Sequence, residues 1–136
     1  MKLSKLEFDK AVKKKQVEIG VKLRTLPDKV IAARRGLLPS GPAQKYVDSE
    51  VLRYSDPYVP LLNSPLKRSG IKSTVIGSGR VHYDTPYARK NYYENRGLGK
   101  QGMAKGGKRG RLWWERMKAD HKEHILKGVK RISGAK

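Results

Sequence analysis

Residues Gly102 to Lys108 have the spacing G-x-x-x-x-G-K, in which a glycine-rich backbone and a lysine can hold the phosphates of a nucleotide. The next residue is Arg109, whereas that motif needs a Ser or Thr hydroxyl at this position to bind magnesium. No buried strand is predicted before the segment either. A flexible basic loop is therefore the better interpretation, and we predict no nucleotide or other cofactor.

A pair of histidines near the C-terminus is the second group that could do chemistry. His121 and His124 lie three residues apart, with Asp120 and Glu123 beside them, so one helical turn could offer them to a divalent metal. His121, however, falls on the apolar face of that helix, and the chain has only 3 histidines. We therefore expect histidines with a structural role and no metal site.

A basic, glycine-rich segment at residues 97–111 is the third group. Its stretch from Gly97 to Gly110 holds six glycines and four basic residues without an apolar period, so we expect a loop that is mobile when unbound. Lysine and arginine on such a backbone suit contact with the phosphates of DNA. An acidic protein partner and simple solvation of the loop are the alternatives. The residues predicted to contact DNA or an acidic partner are Arg96, Lys100, Lys105, Lys108, Arg109 and Arg111.

The rest of the sequence offers no arrangement suited to catalysis. Cysteine is absent, which excludes thiolate catalysis, disulfide bonds and cysteine-based metal sites. The remaining carboxylates are scattered among lysines, and no nucleophile has a base at a recognisable spacing. We therefore predict that the protein is not an enzyme.

Large aromatic residues are concentrated in two places. The segment 81–96, VHYDTPYARKNYYENR, contains Tyr87, Tyr92 and Tyr93, which offer wide surfaces with a polar tip and suit a subunit interface. Trp113 begins the apolar stripe of the last helix and is predicted to lie in the core. Its neighbour Trp114 must then point elsewhere, so we predict that Trp114 also belongs to a subunit interface. Packing of Trp114 on the basic loop just before it is the alternative.

The net charge of +20 is unevenly distributed along the chain. Residues 1–35 carry 11 basic and 4 acidic residues, residues 36–65 carry 2 and 3, and residues 96–111 carry 6 and none. Such an excess destabilises a compact monomer by self-repulsion and favours a polyanionic neighbour. The positive charge is thus gathered in the N-terminal third and in the glycine-rich loop.

A length of 136 residues predicts a single domain with a modest core. We assign residues 1–16 to a basic N-terminal arm and residues 17–136 to one domain that contains the loop at 97–111. No apolar run is long enough to span a bilayer, and no hydrophobic segment makes the N-terminus a signal peptide. Membrane contact is therefore not expected, and an intracellular origin fits the lack of cysteine.

Hydrophobic periodicity predicts the elements of the first half of the chain. Residues 1–15 are interpreted as a short basic helix or arm. From Val17 to Leu23, apolar and polar residues alternate strictly, which predicts a half-buried strand. A short helix is predicted from Pro27 to Arg35, and a second helix from Pro42 to about Ser55, with apolar residues recurring at three and four positions.

The second half is predicted to begin with a β-hairpin and to end with a long helix. Residues 66–76 and 80–83 are joined by the tight turn Gly77-Ser78-Gly79, which favours two antiparallel strands. Asp84 or Thr85 then caps a helix with Pro86 at its first position. The last helix runs from about Leu112 to Ile132. Its apolar stripe is Trp113, Met117, His121, Ile125, Val129 and Ile132.

The order of these elements resembles that of the small minor capsid proteins of tailed bacteriophages, the neck or tail-completion group of phages of Gram-positive bacteria. The resemblance covers roughly Val17 to the C-terminus. The residues that carry it are Tyr58-Val59-Pro60 after a helix, Leu66-Lys67-Arg68-Ser69, Val81-x-Tyr83-x-x-Pro86-Tyr87-Ala88, Tyr92-Tyr93, Gly97, and Trp113/Trp114-Glu115 opening the last helix.

The resemblance implies an α+β fold, with a small antiparallel β-sheet, a long helix packed across it, a β-hairpin and a long C-terminal helix. It also implies a structural protein of the virion, with subunits that form a homo-oligomeric ring between the capsid portal and the tail. The protein would then reside in the host cytoplasm during assembly and in the neck of the finished virion. Portal-side and tail proteins would be its partners, with non-specific contact to packaged DNA.

The charge of the chain keeps a second functional class open, a basic nucleic-acid-binding protein of ribosomal or chromatin-like type. The glycine-rich basic loop supports this alternative. The near-neutral middle of the chain and the lack of a recognised nucleic-acid-binding motif speak against it.

Overall fold

Helices dominate the chain from residue 38 onward in the computed structural model of the protein, which describes residues 3–13, 16–25, 38, 40–61 and 65–134. The helices are α1 (Pro42–Ser55), α2 (Pro65–Ser73), α3 (Ala88–Glu94) and α4 (Trp113–Ser133). Two short 3-10 turns are Asp56–Tyr58 and Met103–Lys105. The strands are β1 (Leu3–Lys13), β2 (Gln16–Thr25) and β3 (Arg80–Tyr83). The helix predicted from Pro27 to Arg35 lies outside the described residues.

The three strands pair in the order β1-β2-β3, and both pairs are antiparallel. β2 contains the strand that was predicted from the alternation between Val17 and Leu23. Its residue Ile19 lies opposite Val81 of β3. β2 therefore joins the N-terminal hairpin to the helical part of the molecule.

Residues 1–15 were predicted to form a short basic helix or arm, but residues 3–13 form the strand β1, which pairs with β2 along its length. Leu6, Phe8 and Val12 all stand at even positions, which suits the period of two in a strand as well as a loose helical pattern. The boundary placed after residue 16 falls within this hairpin. The basic N-terminal segment is thus a strand of the sheet.

α1 and α4 pack against each other and form the centre of the core. α1 begins after Gly41, with Pro42 in the first turn, where the missing N–H of proline costs nothing. Its residues Ala43, Val47 and Val51 are completely buried, as their spacing of four predicts. The predicted apolar stripe of α4 is confirmed at Trp113, Met117, Ile125 and Val129.

The predicted β-hairpin is wrong in its first half, because residues 65–73 form the helix α2. Leu66, Ser69 and Gly70 are buried at the spacing of one helix face, and this spacing prevails over the weak alternation in the sequence. A Cβ at Gly70 would come within 2.6 Å of the ring of Tyr83. Glycine therefore lets α2 lie directly against β3.

α3 begins at Ala88, two residues later than the predicted start at Pro86. Pro86 and Tyr87 form a turn instead, closed by a hydrogen bond of 3.1 Å from Ala88 N to Thr85 O. No side chain caps the helix, and Thr85 is buried. The predicted cap is therefore replaced by a backbone turn.

Aromatic rings join α3, α4 and β3 in the core. The ring of Tyr92 stands edge-on to that of Trp113, with centroids 4.7 Å apart, and the ring of Tyr83 does the same at 5.5 Å. The Tyr92 hydroxyl donates a hydrogen bond to the Glu115 carboxylate. Burial raises the pKa of Tyr83, because its ionised form would have little access to water.

The predicted fold class is confirmed in its coarser part, a compact and largely helical domain with a long C-terminal helix. The long helix α1, however, packs mainly on α4, whereas the resemblance implied that it would cross the sheet. None of the helices among the described residues combines the length and apolar character that a membrane span requires.

Candidate interaction surface

The glycine-rich loop, residues 97–111, is folded by hydrogen bonds within its own backbone. Met103 N donates to Arg109 O and Gly107 N donates to Gly102 O, each at 2.9 Å. The prediction of a loop without a fixed backbone is therefore wrong. The loop buries little apolar surface, and its backbone conformation is fixed by hydrogen bonds between backbone groups instead.

The loop is also fastened to the body of the protein at its C-terminal end. Gly110 N donates to Tyr58 O at 3.1 Å, and Leu112 N donates to Tyr92 O at 2.7 Å. These bonds join the loop to the 3-10 turn after α1 and to α3. The start of α4 is thereby held between them.

Glycine is required in this loop by close approach of backbone atoms. A Cβ at Gly102 would lie 2.0 Å from Gly97 O, and one at Gly107 would lie 2.1 Å from Gln101 O. Both distances are far shorter than any non-bonded contact allows. Gly99 differs, since a Cβ there would meet nothing within 4 Å.

Arg109 was predicted to contact DNA or an acidic partner, but its half-buried side chain makes hydrogen bonds within the protein. Its Nη1 donates to Asp56 O at 2.6 Å and to Val59 O at 2.7 Å, and its Nε donates to Gln101 Oε1 at 2.8 Å. These acceptors come from the turn after α1 and from the loop itself. Arg109 is therefore assigned a structural role.

Arg116 of α4 makes a second set of such hydrogen bonds beneath the loop. Its Nε donates to Arg111 O at 2.9 Å, and its Nη1 donates to Lys108 O. Its guanidinium carbon lies 5.4 Å from the ring centroid of Tyr58, in cation–π range. Burial lowers the pKa of Arg116, opposed by the charges of Tyr58 and Asp120. Arg116 was not among the predicted site residues, and nothing in its sequence context distinguishes it from the lysines nearby.

The other five predicted basic contact residues are exposed to solvent. They are Arg96, Lys100, Lys105, Lys108 and Arg111. The Lys108 ammonium also lies 5.3 Å from the ring centroid of Tyr58. The loop and the residue before it thus present five exposed cations, which are available to a polyanion or to an acidic protein.

A groove of about 340 Å³ opens beside the loop. We call it the loop groove, and its lining residues are Pro60, Leu61, Asn95, Gly97, Gly99, Lys100, Gln101, Gly102 and Arg109. Both charged residues in this lining are basic. Leu98, next to two lining glycines in the sequence, is 67% exposed. Leu98 was not predicted as a contact residue, although a single leucine among glycines and lysines indicates an exposed apolar contact.

A second groove, of about 270 Å³, lies between α1, α2 and β3. We call it the helix groove, and its lining residues are Leu52, Arg53, Asp56, Val59, Lys67, Ile71 and Tyr83. Lys67 and Asp56 form an ion pair of 3.2 Å within it. Ile71 is 67% exposed, and Val75 shortly after α2 is 72% exposed. Because this segment was assigned to a strand, the exposure of these two side chains was not predicted.

Two of the four predicted interface aromatics are buried in the folded chain, which contradicts that prediction for them. Tyr92 is completely buried and Trp114 is only 2% exposed, because α3 and the folded loop enclose the start of α4. Tyr87 is half-buried against the core. Tyr93 is 45% exposed and can contribute to an interface. The prediction that Trp113 belongs to the core is confirmed.

The predicted histidine pair stacks on a tyrosine of α1. The ring of His121 is parallel to that of Tyr54 with centroids 4.2 Å apart, and His124 meets the same ring edge-on at 5.7 Å. The Tyr58 hydroxyl donates to the Asp120 carboxylate, and its oxygen lies 3.3 Å from His121 Nε2. Both histidines therefore take part in packing between α1 and α4.

Two pKa values in this cluster are displaced by burial. Burial and the hydrogen bond to Asp120 raise the pKa of Tyr58 to about 12. Burial lowers the pKa of His121. The positive charges of Lys108 and Arg53 lower this pKa further, whereas Asp120 raises it. The fold therefore favours the neutral form of His121. Within the part of the chain that the structure describes, no three His, Asp or Glu side chains are grouped to hold a metal ion.

No protein-family model, curated protein or solved structure matches the chain. Function must therefore be inferred from the residues and surfaces of this molecule.

Proposed function

We propose that the chain is a structural protein of the virion in the neck of a tailed bacteriophage, where copies form a ring between the capsid portal and the tail. The protein completes the tail or joins head and tail after synthesis in the host cytoplasm. In this proposal the fold is a neck-type α+β domain, made of the sheet β1-β2-β3 and the helices that follow it. The role is structural and not enzymatic.

The observation that carries this proposal is the presence of two separate exposed apolar surfaces. The helix groove includes the exposed Ile71 in its lining, and the loop groove includes Leu61. Val75 and Leu98, which follow or adjoin lining residues in the sequence, are also largely exposed. The two grooves share no lining residue. A subunit of a neck ring contacts its own copies as well as portal or tail proteins, so it needs more than one separate patch. Exposed apolar patches mark such contacts.

The residues that carry the resemblance to minor capsid proteins give further support, because they pack together. Those buried in the common core are Tyr58, Val59, Leu66, Val81, Tyr83, Ala88, Tyr92, Trp113 and Trp114. The resemblance therefore rests largely on residues of the core.

Localisation in assembled particles tests the proposal most directly. Antibodies against the chain, applied to tailed particles produced by cells that encode it, are expected to label the junction of head and tail in electron micrographs. The chain should also co-purify with particles in a fixed copy number. Particles that lack the chain, or that carry it on the capsid faces or the tail tip, would contradict the proposal.

The exposed cations of the loop are proposed to face the DNA channel and an acidic portal or tail surface. Reversing the charge of Lys105 and Lys108 should weaken virion assembly or DNA retention, because both side chains are exposed. Arg109 is left out of this test, since its reversal would break the hydrogen bonds to Asp56 O and Val59 O. Normal yields of intact, DNA-filled particles from the double variant would exclude this role.

A nucleic-acid-binding function of ribosomal or chromatin-like type is the alternative, and the exposed cations on the loop favour it. The test is the affinity of the purified chain for duplex DNA as a function of salt concentration. Binding that falls steeply with salt but stays tight at moderate salt would support the alternative. A chain that is freed of nucleic acid by a salt wash would support the neck assignment.

A further inference from the structure

We propose that the loop groove binds an acidic segment of a partner protein. The segment would insert one apolar side chain against Leu61 and the glycine backbone, and would place carboxylates beside Lys100. This inference goes beyond the neck assignment and does not require that the chain form a ring. It commits to one occupant, a peptide with an apolar anchor and acidic flanks.

The walls of the loop groove suit an anchoring side chain. Its lining includes the apolar residues Pro60 and Leu61 and three glycines, Gly97, Gly99 and Gly102. Glycines lack side chains that would block the approach of another backbone. A volume of about 340 Å³ stands at the small end of the range for binding sites, so one side chain with its flanking backbone fits.

The charge around the loop groove selects for an acidic occupant. The sequence from Asn95 to Arg111 contains no acidic residue. Arg109 lines the groove and adds positive charge there, while its Nε and Nη1 donate to Gln101 Oε1, Asp56 O and Val59 O. Lys100 is the exposed lysine of this lining, so its ammonium can meet a carboxylate from outside.

Two other occupants fit the loop groove less well. No aromatic ring lines it, so it lacks the stacking surface on which single-stranded nucleic acid is held. A second copy of the chain would carry the same net charge of +20, and like charges disfavour contact at a basic groove. An acidic peptide avoids both problems.

Peptide binding measured by fluorescence polarisation tests the inference. The probe is a pool of short capped peptides with acidic flanks and a central Leu, Ile, Phe or Trp. The comparison pool has the same flanks and a central Ser. We expect the apolar pool to bind at least about fivefold more tightly, because the anchor buries its side chain against Leu61. Equal affinity of both pools, or no binding by either, would overturn the inference.

Variants of two exposed lysines distinguish binding in the groove from general electrostatic attraction to the basic loop. Lys100→Glu should weaken binding of the apolar pool by about tenfold, since Lys100 lines the groove. Lys105→Glu makes the same charge change on the same loop outside the groove, and should weaken binding by no more than about twofold. Equal losses in the two variants would show attraction without a site and would refute the proposal.

Filling the groove gives a test that does not change the charge. Gly99→Leu should abolish anchored binding, because the position lines the groove, faces open space and needs no left-handed backbone. Ala104→Leu adds a leucine at an exposed position outside the groove and should leave binding unchanged. Both variants should keep the unfolding temperature of the parent. If Gly99→Leu binds normally, or if a single-stranded oligonucleotide occupies the site in place of the peptides, the inference fails.

Discussion

Asp48 is a completely buried carboxylate that organises the turn before β3. Its Oδ2 accepts hydrogen bonds from Gly77 N at 2.7 Å and from Gly79 N at 3.1 Å, and its Oδ1 accepts one from Gln44 Nε2 at 2.9 Å. Burial raises its pKa, although these bonds act in the opposite direction. One side chain thus connects α1 to the start of the strand.

Replacing Asp48 should separate its hydrogen bonds from its charge. Asp48→Ala should lower the free energy of unfolding by about 2 to 4 kcal/mol, because two buried backbone N–H groups lose their acceptor. Asp48→Asn keeps one oxygen for both groups and should cost no more than about 1 kcal/mol. Urea unfolding of the three proteins makes the comparison. Similar losses in both variants would mean that the charge matters more than the turn.

His121 should make the stability of the protein depend on pH. Its pKa is lowered in the folded state, so below the ordinary value of 6.5 the unfolded chain binds more protons than the folded chain. The contribution of His121 is therefore complete above pH 6.5 and declines as the pH falls through the lowered folded pKa. Thermal unfolding from about pH 8 to about pH 5 measures this decline.

Two variants assign that pH dependence to His121. His121→Phe keeps a ring on Tyr54 but cannot be protonated, so its stability should decline less between these pH values. His124→Gln changes the exposed neighbour and should keep most of the decline. A parental slope in His121→Phe would assign the effect to another group.

At the scale of the elements, adding one methyl group to a glycine of the loop should change the stability of the protein by an amount that depends on the position. Gly102→Ala should destabilise the protein by about 2 kcal/mol or more, because the new Cβ overlaps a backbone carbonyl. Gly99→Ala should change stability by less than about 0.5 kcal/mol, because its Cβ faces open space. Chemical denaturation of both variants decides the point. Two equally stable variants would show that the loop is not held as described.

The packing of α1 on α4 depends on Gly128 in the C-terminal third of α4. Alanine is favoured over glycine in a helix by about 1 kcal/mol, yet a Cβ at Gly128 would lie 1.9 Å from the Tyr46 hydroxyl oxygen. Gly128→Ala should therefore destabilise the protein. In a Tyr46→Ala background the same change should be nearly neutral or stabilising. A double-mutant cycle measures this coupling, and additive effects would rule out the contact.

Periodic elements were predictable from the sequence, whereas elements fixed by distant partners were not. α1, β2 and α4 follow from apolar spacing that a single segment displays. α2 was mistaken for a strand because its buried face holds only Leu66, Ser69 and Gly70, and the tight fit of Gly70 depends on Tyr83.

The same limit applies to the candidate interaction surface. The exposure of its loop cations follows from composition, and five of the six predicted cations are exposed. The internal hydrogen bonds of Arg109 do not follow from composition, because the carbonyl groups that accept them belong to residues about fifty positions earlier in the chain. Burial of Trp114 likewise depends on the position of α3 and of the loop.

At the scale of the whole molecule, self-repulsion at a net charge of +20 must be offset by apolar contact if copies assemble. The double variant Ile71→Asp and Val75→Asp should abolish incorporation into particles without lowering the unfolding temperature, because both side chains are largely exposed. Lys72→Asp, at an exposed position of the same helix, is the control for added acidic charge. Normal incorporation of the double variant would remove this surface from the assembly interface.

The ordered backbone of the glycine-rich loop constrains how the gene can diverge. By composition the segment looks like a linker, in which insertions and deletions are usually tolerated. Its hydrogen bonds instead pair residues at set separations, such as Gly102 with Gly107 and Met103 with Arg109. Exchange of the exposed lysines leaves these bonds intact, whereas an insertion or deletion between the paired positions would break them. We therefore expect relatives of the chain to differ in charge within this segment and to keep its length.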